Sequence, residues 1–193
     1  LIAVAVVDGH VALVDRSGRL IRSLQGHSRH VLCAEVSNDR KWLLTGSDDT
    51  SLRVWNLATG KLQRTLNQHT AAVRDLAAKS NSTGPLVLAS AGADRTVRLW
   101  QPTIGRLVRF ARLESSPLAI AWTPNGDRLL AACEDGHLRV IDALTVKVLQ
   151  DTPAVNGWAY AVAVSPDGSH SVIAGENGQL RSVSLGSDST LKP

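Results

Sequence analysis

The stretch Ser47-Asp48-Asp49-Thr50-Ser51-Leu52-Arg53-Val54-Trp55 matters most in this chain, because the chain repeats it in phase. An apolar strand ends in an acidic tight turn, a second strand follows, and the sixth residue after the turn acid is Trp or aliphatic. Gly92-Ala93-Asp94-Arg95-Thr96-Val97-Arg98-Leu99-Trp100 is an equally clear copy, and weaker copies run over 8–14, 135–141 and 177–183. The turn positions 8, 49, 94, 135 and 177 are 41, 45, 41 and 42 residues apart. Such a period indicates small sheets that bury their faces only against their neighbours.

The composition is that of an ordinary globular protein. The 193 residues suit one domain or two, and the hydrophobic fraction of 44% argues against disorder. The formal charge is +4, and the 16 Arg and 5 Lys residues are spread along the chain. We therefore do not expect a nucleic-acid partner. No apolar run is long enough to span a bilayer, so we expect no membrane association.

The cysteines and the first residue bear on location and completeness. Cys33 and Cys133 lie in apolar strand patterns, and we interpret each as a small buried hydrophobe. This usage is compatible with a reducing compartment and favours a cytoplasmic location. Because the chain has no Met and begins with Leu, we expect it to be a fragment or a trimmed chain.

Each unit reads as four strands, with no stretch that predicts a long helix. The second strands are nearly continuously apolar, as expected for strands covered on both faces: Trp42–Ser47, Leu86–Gly92, Arg128–Cys133 and Ser171–Gly175. Four third strands place an Arg between apolar positions: Arg53, Arg98, Arg139 and Arg181. The sequence thus predicts antiparallel sheets joined by tight turns.

The pattern Gly26-His27 … Asp49 … Val54-Trp55-Asn56 resembles a WD40 repeat, and the resemblance covers essentially the whole chain. It implies an all-β fold, a β-propeller built from four-stranded antiparallel blades. It also implies a structural tetrad within a blade, which in the second repeat would be His27, Ser47, Asp49 and Trp55. The third repeat keeps His69, Asp94 and Trp100 but has Gly92 where the hydroxyl is expected. The first and fourth repeats keep the turn acids Asp8 and Asp135.

These matches predict that only one blade has a complete tetrad and that the second and third blades are the most rigid. The other turns would be held by fewer side-chain hydrogen bonds. We expect a single propeller domain, or part of one, with three intact blades and two partial ones. The boundaries are: partial blade 1, 1–26; blade 2, 27–68; blade 3, 69–112; blade 4, 113–154; partial blade 5, 155–185; polar tail, 186–193.

Catalysis and metal binding are weakly indicated. His27, Ser47 and Asp49 include the residue types of a nucleophilic triad, but the repeat gives them an internal, structural role. His27, His30 and Cys33 are spaced three apart, and alternation along a strand does not bring such positions onto one face. We therefore predict no enzyme activity, no metal site and no cofactor.

A partner-binding face is the stronger hypothesis. By resemblance, the entry to each first strand and the residue before each turn acid lie on the narrower face of the propeller. Aromatic residues and Arg dominate interface hot spots. The predicted contact residues on that face are Trp158, Tyr160 and Arg74, with His30, Asp48, Glu134 and Glu176 around them. In the alternative interpretation, Trp158 only covers the edge of its blade.

Three functions are considered, the first from the resemblance and the other two from the arginine content. The first is a non-catalytic scaffold that binds a protein or peptide through the loops of this face. The second is an accessory propeller segment of a larger multi-domain enzyme or signalling protein. The Arg-rich, Lys-poor composition resembles that of bacterial multi-domain chains with WD40 arrays. The third is RNA binding along the Arg-bearing strands, which predicts affinity that falls steeply with salt.

Overall fold

The computed structural model describes residues 2–5, 8–79 and 84–186, and residues 2–5 through their backbone only. These residues form five antiparallel sheets, and within each sheet neighbouring strands follow one another in the chain. Three sheets have four strands and two have three. The predicted all-β fold, with three complete blades and two partial ones, is confirmed. All of the predicted polar tail except Gly186 lies outside the described residues.

The strands are numbered in chain order, and each sheet is called a blade. Blade 1 contains β1 (Ile2–Ala5), β2 (His10–Val14) and β3 (Leu20–Gln25). Blade 2 contains β4 (Val31–Val36), β5 (Trp42–Ser47), β6 (Leu52–Asn56) and β7 (Leu62–Leu66). Blade 3 contains β8 (Val73–Ala78), β9 (Leu88–Gly92), β10 (Thr96–Gln101) and β11 (Arg106–Arg112). Blade 4 contains β12 (Pro117–Trp122), β13 (Arg128–Cys133), β14 (His137–Asp142) and β15 (Val148–Pro153). Blade 5 contains β16 (Ala159–Val164), β17 (His170–Gly175) and β18 (Leu180–Ser184), with a 3₁₀ turn over Glu176–Gly178.

The core lies between blades. Four clusters of buried apolar side chains each join two successive blades. Strand β13 is continuously apolar because both of its faces are covered. Leu129 and Ala131 pack toward blade 3, whereas Leu130 and Ala132 pack toward blade 5. Each fully buried Leu contributes about 1.5–3 kcal/mol. A blade therefore depends on its neighbours for much of its stability.

The first strands of successive blades adjoin one another in the order β4, β8, β12 and β16. This stacking brings corresponding ends of all the blades to the same side of the molecule. The side at which these first strands begin, and at which the second strand turns into the third, is called the entry face below. The opposite side carries the turns between first and second strands and between third and fourth strands.

Candidate partner-binding face and its structural network

One backbone hydrogen bond recurs on the entry face of four blades. It runs from the amide of the residue before each turn acid to the carbonyl of the residue that enters the first strand. The pairs are Asp48 to His30 (3.0 Å), Ala93 to Ala72 (2.8 Å), Glu134 to Ser116 (3.0 Å) and Glu176 to Trp158 (3.0 Å). The two sets of positions that the resemblance assigned to one face are thus hydrogen-bonded to each other within each of these blades.

The first strands also share a β-bulge two residues after their entry. In each of them one residue has no partner in the pairing with the second strand: Leu32, Arg74, Leu118 and Tyr160. A bulge bends the strand and redirects the side chain that it leaves unpaired. Two of the predicted contact residues, Arg74 and Tyr160, are therefore the unpaired residues of these bulges.

Blade 5 presents an aromatic pair on this face. The Trp158 and Tyr160 rings lie 5.9 Å apart, tilted by 59°, and their exposed fractions are 44% and 50%. The Tyr160 hydroxyl donates a hydrogen bond to Glu176 Oε1 at 3.3 Å. Desolvation and the Glu176 carboxylate raise the pKa of Tyr160, so the phenol keeps its proton at neutral pH. Both large rings are therefore held in place while much of their surface remains open to solvent.

The charged residues of the face form separate groups. Arg74 Nη2 lies 3.3 Å from Glu134 Oε1, an ion pair that joins blade 3 to blade 4. Arg74 Nε is buried and has no hydrogen-bond partner among the described residues. His30 is exposed and Asp48 is half-buried, both in blade 2. In the described part of the chain, no hydrogen bond, ion pair or ring contact links these residues to the aromatic pair of blade 5.

Beneath the face, a chain of buried hydrogen bonds crosses blade 2. The Trp55 indole Nε1 donates to Thr45 Oγ1 at 3.0 Å, Thr45 Oγ1 lies 2.7 Å from His27 Nε2, and His27 Nδ1 lies 2.9 Å from Asp49 Oδ2. An indole can only donate and a carboxylate can only accept. The His27 proton is therefore on Nδ1, and the Thr45 hydroxyl donates to His27 Nε2. The chain orders the turn that follows Asp49.

The hydroxyl in this chain belongs to Thr45, so the prediction of Ser47 was wrong. Residues 45 and 47 share one face of β5, and Thr45 lies at the level of the His27 and Trp55 rings. The Ser47 hydroxyl lies nearer the entry face, where it donates to the His30 carbonyl at 2.8 Å and accepts from the Asp49 amide at 3.0 Å.

Blade 3 has the same complete chain, which corrects the prediction that only one blade would be complete. Trp100 Nε1 donates to Ser90 Oγ at 2.9 Å, Ser90 Oγ lies 2.7 Å from His69 Nε2, and His69 Nδ1 lies 2.9 Å from Asp94 Oδ2. Gly92 is required for a different reason: a Cβ there would lie 2.3 Å from His69 Nδ1. Ser90, two residues earlier, supplies the hydroxyl.

The ionisation of these groups follows from burial and hydrogen bonding. Burial lowers the pKa of His27 and His69, and it outweighs the opposing effect of Asp49 and Asp94. Burial alone would raise the pKa of Asp49, but hydrogen bonds from the Ser51 hydroxyl, from the backbone amides of Ser28 and Ser51, and from His27 lower it to about 2. Asp94 behaves in the same way and also has a pKa of about 2. Both pairs are thus a neutral imidazole and a carboxylate at neutral pH.

Blade 4 holds its turn acid differently. Leu113, Ala131 and Ile141 stand where blades 2 and 3 have His, the hydroxyl and Trp, and all three are buried in one cluster. Asp135 is bound instead by Arg139, whose Nη1 and Nη2 donate to its two carboxylate oxygens at 3.1 and 2.7 Å.

Arg139 also joins the third strand of blade 4 to the fourth. It is 3% exposed, and its Nε donates to Asp151 Oδ2 at 3.0 Å. Among the described residues, the Asp135 carboxylate accepts three hydrogen bonds, against four at Asp49 and five at Asp94, as the prediction of fewer bonds expected. Two of its three bonds come from the single guanidinium of Arg139. In blade 1, Asp8 is exposed, and among the described residues it accepts one long hydrogen bond, from the His10 amide at 3.3 Å, and lies 3.4 Å from His10 Nδ1.

The structure gives no geometry for nucleophilic catalysis by His27, Ser47 and Asp49. The hydroxyl at His27 Nε2 is that of the buried Thr45, which also accepts a hydrogen bond from Trp55. The Ser51 hydroxyl, 3.3 Å from His27 Nδ1, donates to Asp49, and the Ser47 hydroxyl is bonded to backbone groups. Among the described residues, no three His, Cys, Asp or Glu side chains converge as metal ligands would. Nor does any helix in the described segments have the length and apolar character that crossing a membrane requires.

Comparisons with known proteins agree with this architecture. The family model "WD domain, G-beta repeat" matches residues 18–56, 60–101 and 111–142. The chain belongs to the WD40 family.

Several relatives are known by name. The chain is 29% identical to Autophagy-related protein 16 of Arabidopsis thaliana, over 83% of its own length and 31% of that protein. It is 30% identical to Eukaryotic translation initiation factor 3 subunit I of Neurospora crassa, over 81% of its length and 51% of the relative. Nuclear distribution protein nudF 1 of Talaromyces marneffei is 29% identical over 76% of this chain and 32% of that protein. The chain thus spans about a third to a half of these relatives.

A solved structure supports the fold. A chain of the crystal structure of the mitotic checkpoint complex superposes with a TM-score of 0.87, over 96% of this chain and 59% of that one. The sequence identity is 22%, so this likeness concerns the fold alone.

Proposed function

We propose that this propeller segment is a non-catalytic scaffold that binds a protein or peptide through its entry face. The observation that carries the proposal is the Trp158–Tyr160 pair, two large rings that are half-exposed yet fixed by ring contact and by the bond to Glu176. Such residues bury much area at low entropic cost when a partner covers them. The names of the relatives concern autophagy, translation initiation and nuclear distribution, and none of those three is the name of an enzyme.

The Arg74–Glu134 pair would form a second contact region. Its two side chains are half-buried, and they join blades 3 and 4 at the same face as the aromatic pair. Both side chains keep about a third of their surface open to solvent, so a charged group of a partner can reach them. We expect a partner that places an apolar side chain on Trp158 and a charged group near Arg74.

The test separates folding from binding. The 193-residue chain and its Trp158→Ala and Arg74→Ala variants are used to capture partners from a lysate of the source cells, and the captured proteins are quantified by mass spectrometry. Leu20→Ala is the matched control, because Leu20 is an exposed apolar residue on an outer strand. We expect Trp158→Ala to lose at least about tenfold of capture, as a hot spot does, and Arg74→Ala to lose less.

Circular dichroism and thermal unfolding of each variant show whether it is folded. If folded Trp158→Ala captures the same proteins as the wild type in the same amounts, the entry face is the wrong surface. RNA binding would appear instead as nucleic acid in the captured fraction that is lost steeply as salt increases.

A further inference from the structure

A cleft of about 440 Å³ lies between blades 3 and 4, at the side opposite the entry face. Val87, Leu99 and Val108 of blade 3 line one wall, and Trp122, Ala143 and Leu144 of blade 4 line the other. Its volume falls within the range of about 300–1,000 Å³ that ligand sites occupy. It shares no residue with the proposed entry-face site and does not depend on that proposal.

The two preceding blade junctions are closed at the corresponding place. Between blades 1 and 2, Arg22 Nη1 donates to the Ala58 carbonyl at 3.1 Å. Between blades 2 and 3, Arg64 Nε donates to the Thr103 carbonyl at 3.0 Å. Arg64 lies on the fourth strand of blade 2, β7, and Arg22 lies on β3, which takes the place of the fourth strand in partial blade 1. The two arginines are opposite Val54 and Leu13 in register.

Arg109 is the corresponding residue at the junction of blades 3 and 4, opposite Leu99. It is exposed and lines the cleft, yet within residues 2–5, 8–79 and 84–186 its guanidinium forms neither a hydrogen bond nor an ion pair. The arginine that closes the two preceding junctions therefore leaves this one open.

The turn of blade 4 explains the difference. Arg22 packs against Gly60, where a Cβ would lie 2.3 Å from Arg22 Cδ, and Arg64 packs against Gly105, where a Cβ would lie 3.2 Å from Arg64 Cδ. In blade 4 the corresponding residue is Val146, which has a φ of 55°. A β-branched residue in this left-handed conformation is a genuine outlier. The Val146 side chain packs against the core shared by blades 3 and 4, so an arginine stem cannot lie there.

One of the four charged groups that line the cleft, Arg109, can receive an acidic group of a ligand, whereas the two carboxylates keep their charge and are held by neutral donors. Asp127 accepts from the Thr123 hydroxyl at 2.9 Å, and Asp142 accepts from the Thr145 amide and hydroxyl, both at 2.6 Å. Lys79 Nζ lies over the Trp122 ring, 5.7 Å from its centroid. Of the charged groups that line the cleft, the Arg109 guanidinium alone has no partner among the described residues.

We propose that this cleft binds a peptide segment of a partner protein that combines a large aliphatic or aromatic side chain with a nearby carboxylate. The apolar side chain enters between Val108 and Trp122, and the carboxylate pairs with Arg109. Leu144 is 68% exposed at the rim of the cleft. It contacts the peptide residues on either side of the one that enters the cleft. A ligand confined to the cleft would leave that surface uncovered, which favours a peptide over a small molecule.

The test uses a variant designed to close the cleft, and its stability is measured beside its affinity. Val146→Gly restores the residue of the other junctions and relieves the left-handed strain, so Arg109 can fold inward. A random peptide library is displayed and selected on the wild-type chain, with Val146→Gly as counter-selection. We expect the enriched peptides to share a large apolar residue within three positions of Asp or Glu.

A synthetic enriched peptide is then measured by fluorescence anisotropy. We expect at least tenfold weaker binding to Val146→Gly, with an unfolding temperature no lower than that of the wild type. Val146→Ala is the matched control: it keeps a Cβ at the position, so its affinity should stay within threefold of the wild type. Arg109→Gln should weaken the acidic peptide at least fivefold, but its Asp→Asn or Glu→Gln version less than twofold.

Three results would overturn the proposal. One is selection of peptides without an acid, or of none that distinguish the two chains. Another is undiminished binding of the enriched peptide to folded Val146→Gly or to Arg109→Gln. The third is binding of phenylacetate or octanoate as tight as that of the peptide, which would assign the cleft to a small carboxylate.

Discussion

Blades 3 and 4 solve the same problem with opposite chemistry. Both must hold an acidic turn at the entry face over a junction with a neighbouring blade. Blade 3 uses the buried polar chain from Trp100 through Ser90 and His69 to Asp94. Blade 4 has only apolar residues at the first three of these positions and binds its acid through Arg139.

The difference shows that the internal positions change as a unit. A buried hydroxyl or indole nitrogen without a partner costs about 1–3 kcal/mol, whereas replacing both partners of a bond by apolar groups is nearly neutral. A blade with His and no hydroxyl, or with Trp and no acceptor, would be less stable than either the polar arrangement of blade 3 or the apolar arrangement of blade 4. Replacing only one residue of the polar chain in blade 3 should therefore lower the stability of the protein, because its buried partners lose their hydrogen bonds.

The largest effect is expected from His69→Leu, which gives blade 3 the apolar residue of blade 4 at one position only. It leaves the Ser90 hydroxyl without its acceptor and removes a donor from Asp94. Two impaired groups should lower the free energy of unfolding by about 3 kcal/mol. Urea unfolding followed by Trp fluorescence measures the change.

The double variant His69→Leu/Ser90→Ala tests whether the two residues act together. Because the removed groups bond to each other, the double variant should cost about 1 kcal/mol less than the sum of the single ones. Additive effects would mean that the polar chain is only a set of independent bonds.

A smaller loss is expected from Arg139→Met in blade 4. The substitution removes three charge-assisted bonds, but Asp135 and Asp151 are partly exposed and can be hydrated again. We expect about 2 kcal/mol lower stability in urea unfolding.

Arg53→Met is the matched control for Arg139, because Arg53 stands at the same place in blade 2. Arg53 Nε has no hydrogen-bond partner among the described residues, and its guanidinium lies 6.0 Å from the Trp55 ring. Its loss should cost at most about 1 kcal/mol. Equal effects at the two arginines would contradict the role assigned to Arg139.

Acid should weaken blades 2 and 3 but have less effect on blade 4. Burial lowers the pKa of folded His27 and His69 below the ordinary 6.5, so their contribution is present above pH 6.5 and is lost as the pH falls below it. Asp49 and Asp94 have a folded pKa of about 2 against an ordinary 3.8. Their contribution to stability is therefore lost as the pH falls from 3.8 toward 2. The urea midpoint should therefore decrease between pH 7.5 and 5.0, and by less in His69→Leu. The same decrease in both proteins would exclude His69 as a source of the effect.

The sequence was enough for the fold because Asp49, Asp94 and Asp135 recur in phase with paired apolar strands. It was not enough to choose between Thr45 and Ser47, since both lie on one face of β5 and only strand register separates them. A usable signal was nevertheless present: the hydroxyls Thr45 and Ser90 occur in the repeats that have His27 and His69, and Ala131 occurs in the one that has Leu113.

Two other features depend on tertiary context. Four third strands have an Arg at the same place, but in the described part of the chain only Arg139 of blade 4 binds the turn acid through both terminal nitrogens, whereas Arg98 of blade 3 reaches Asp94 through one. The open junction at Arg109 likewise depends on Val146, and a Val after Thr145 gives no local sign of a left-handed backbone. The entry-face contacts of Trp158 and Arg74 stay predictions until a partner is known.

The smallest expected effect is a gain, from Arg95→Gly in the turn of blade 3. Arg95 follows the turn acid with a φ of 61°, whereas blade 4 has Gly136 at this place with a φ of 78°. The left-handed conformation costs an ordinary residue about 1–2 kcal/mol, part of which is offset by the greater freedom of glycine in the unfolded chain. Because Arg95 is exposed and Asp94 orders the turn through the Thr96 amide and hydroxyl, little else is lost. Thermal unfolding should show a gain of about 0.5–1 kcal/mol, and Arg95→Ala, which keeps the Cβ, should show none. A loss of stability in Arg95→Gly would mean that the left-handed backbone at Arg95 does not destabilise blade 3.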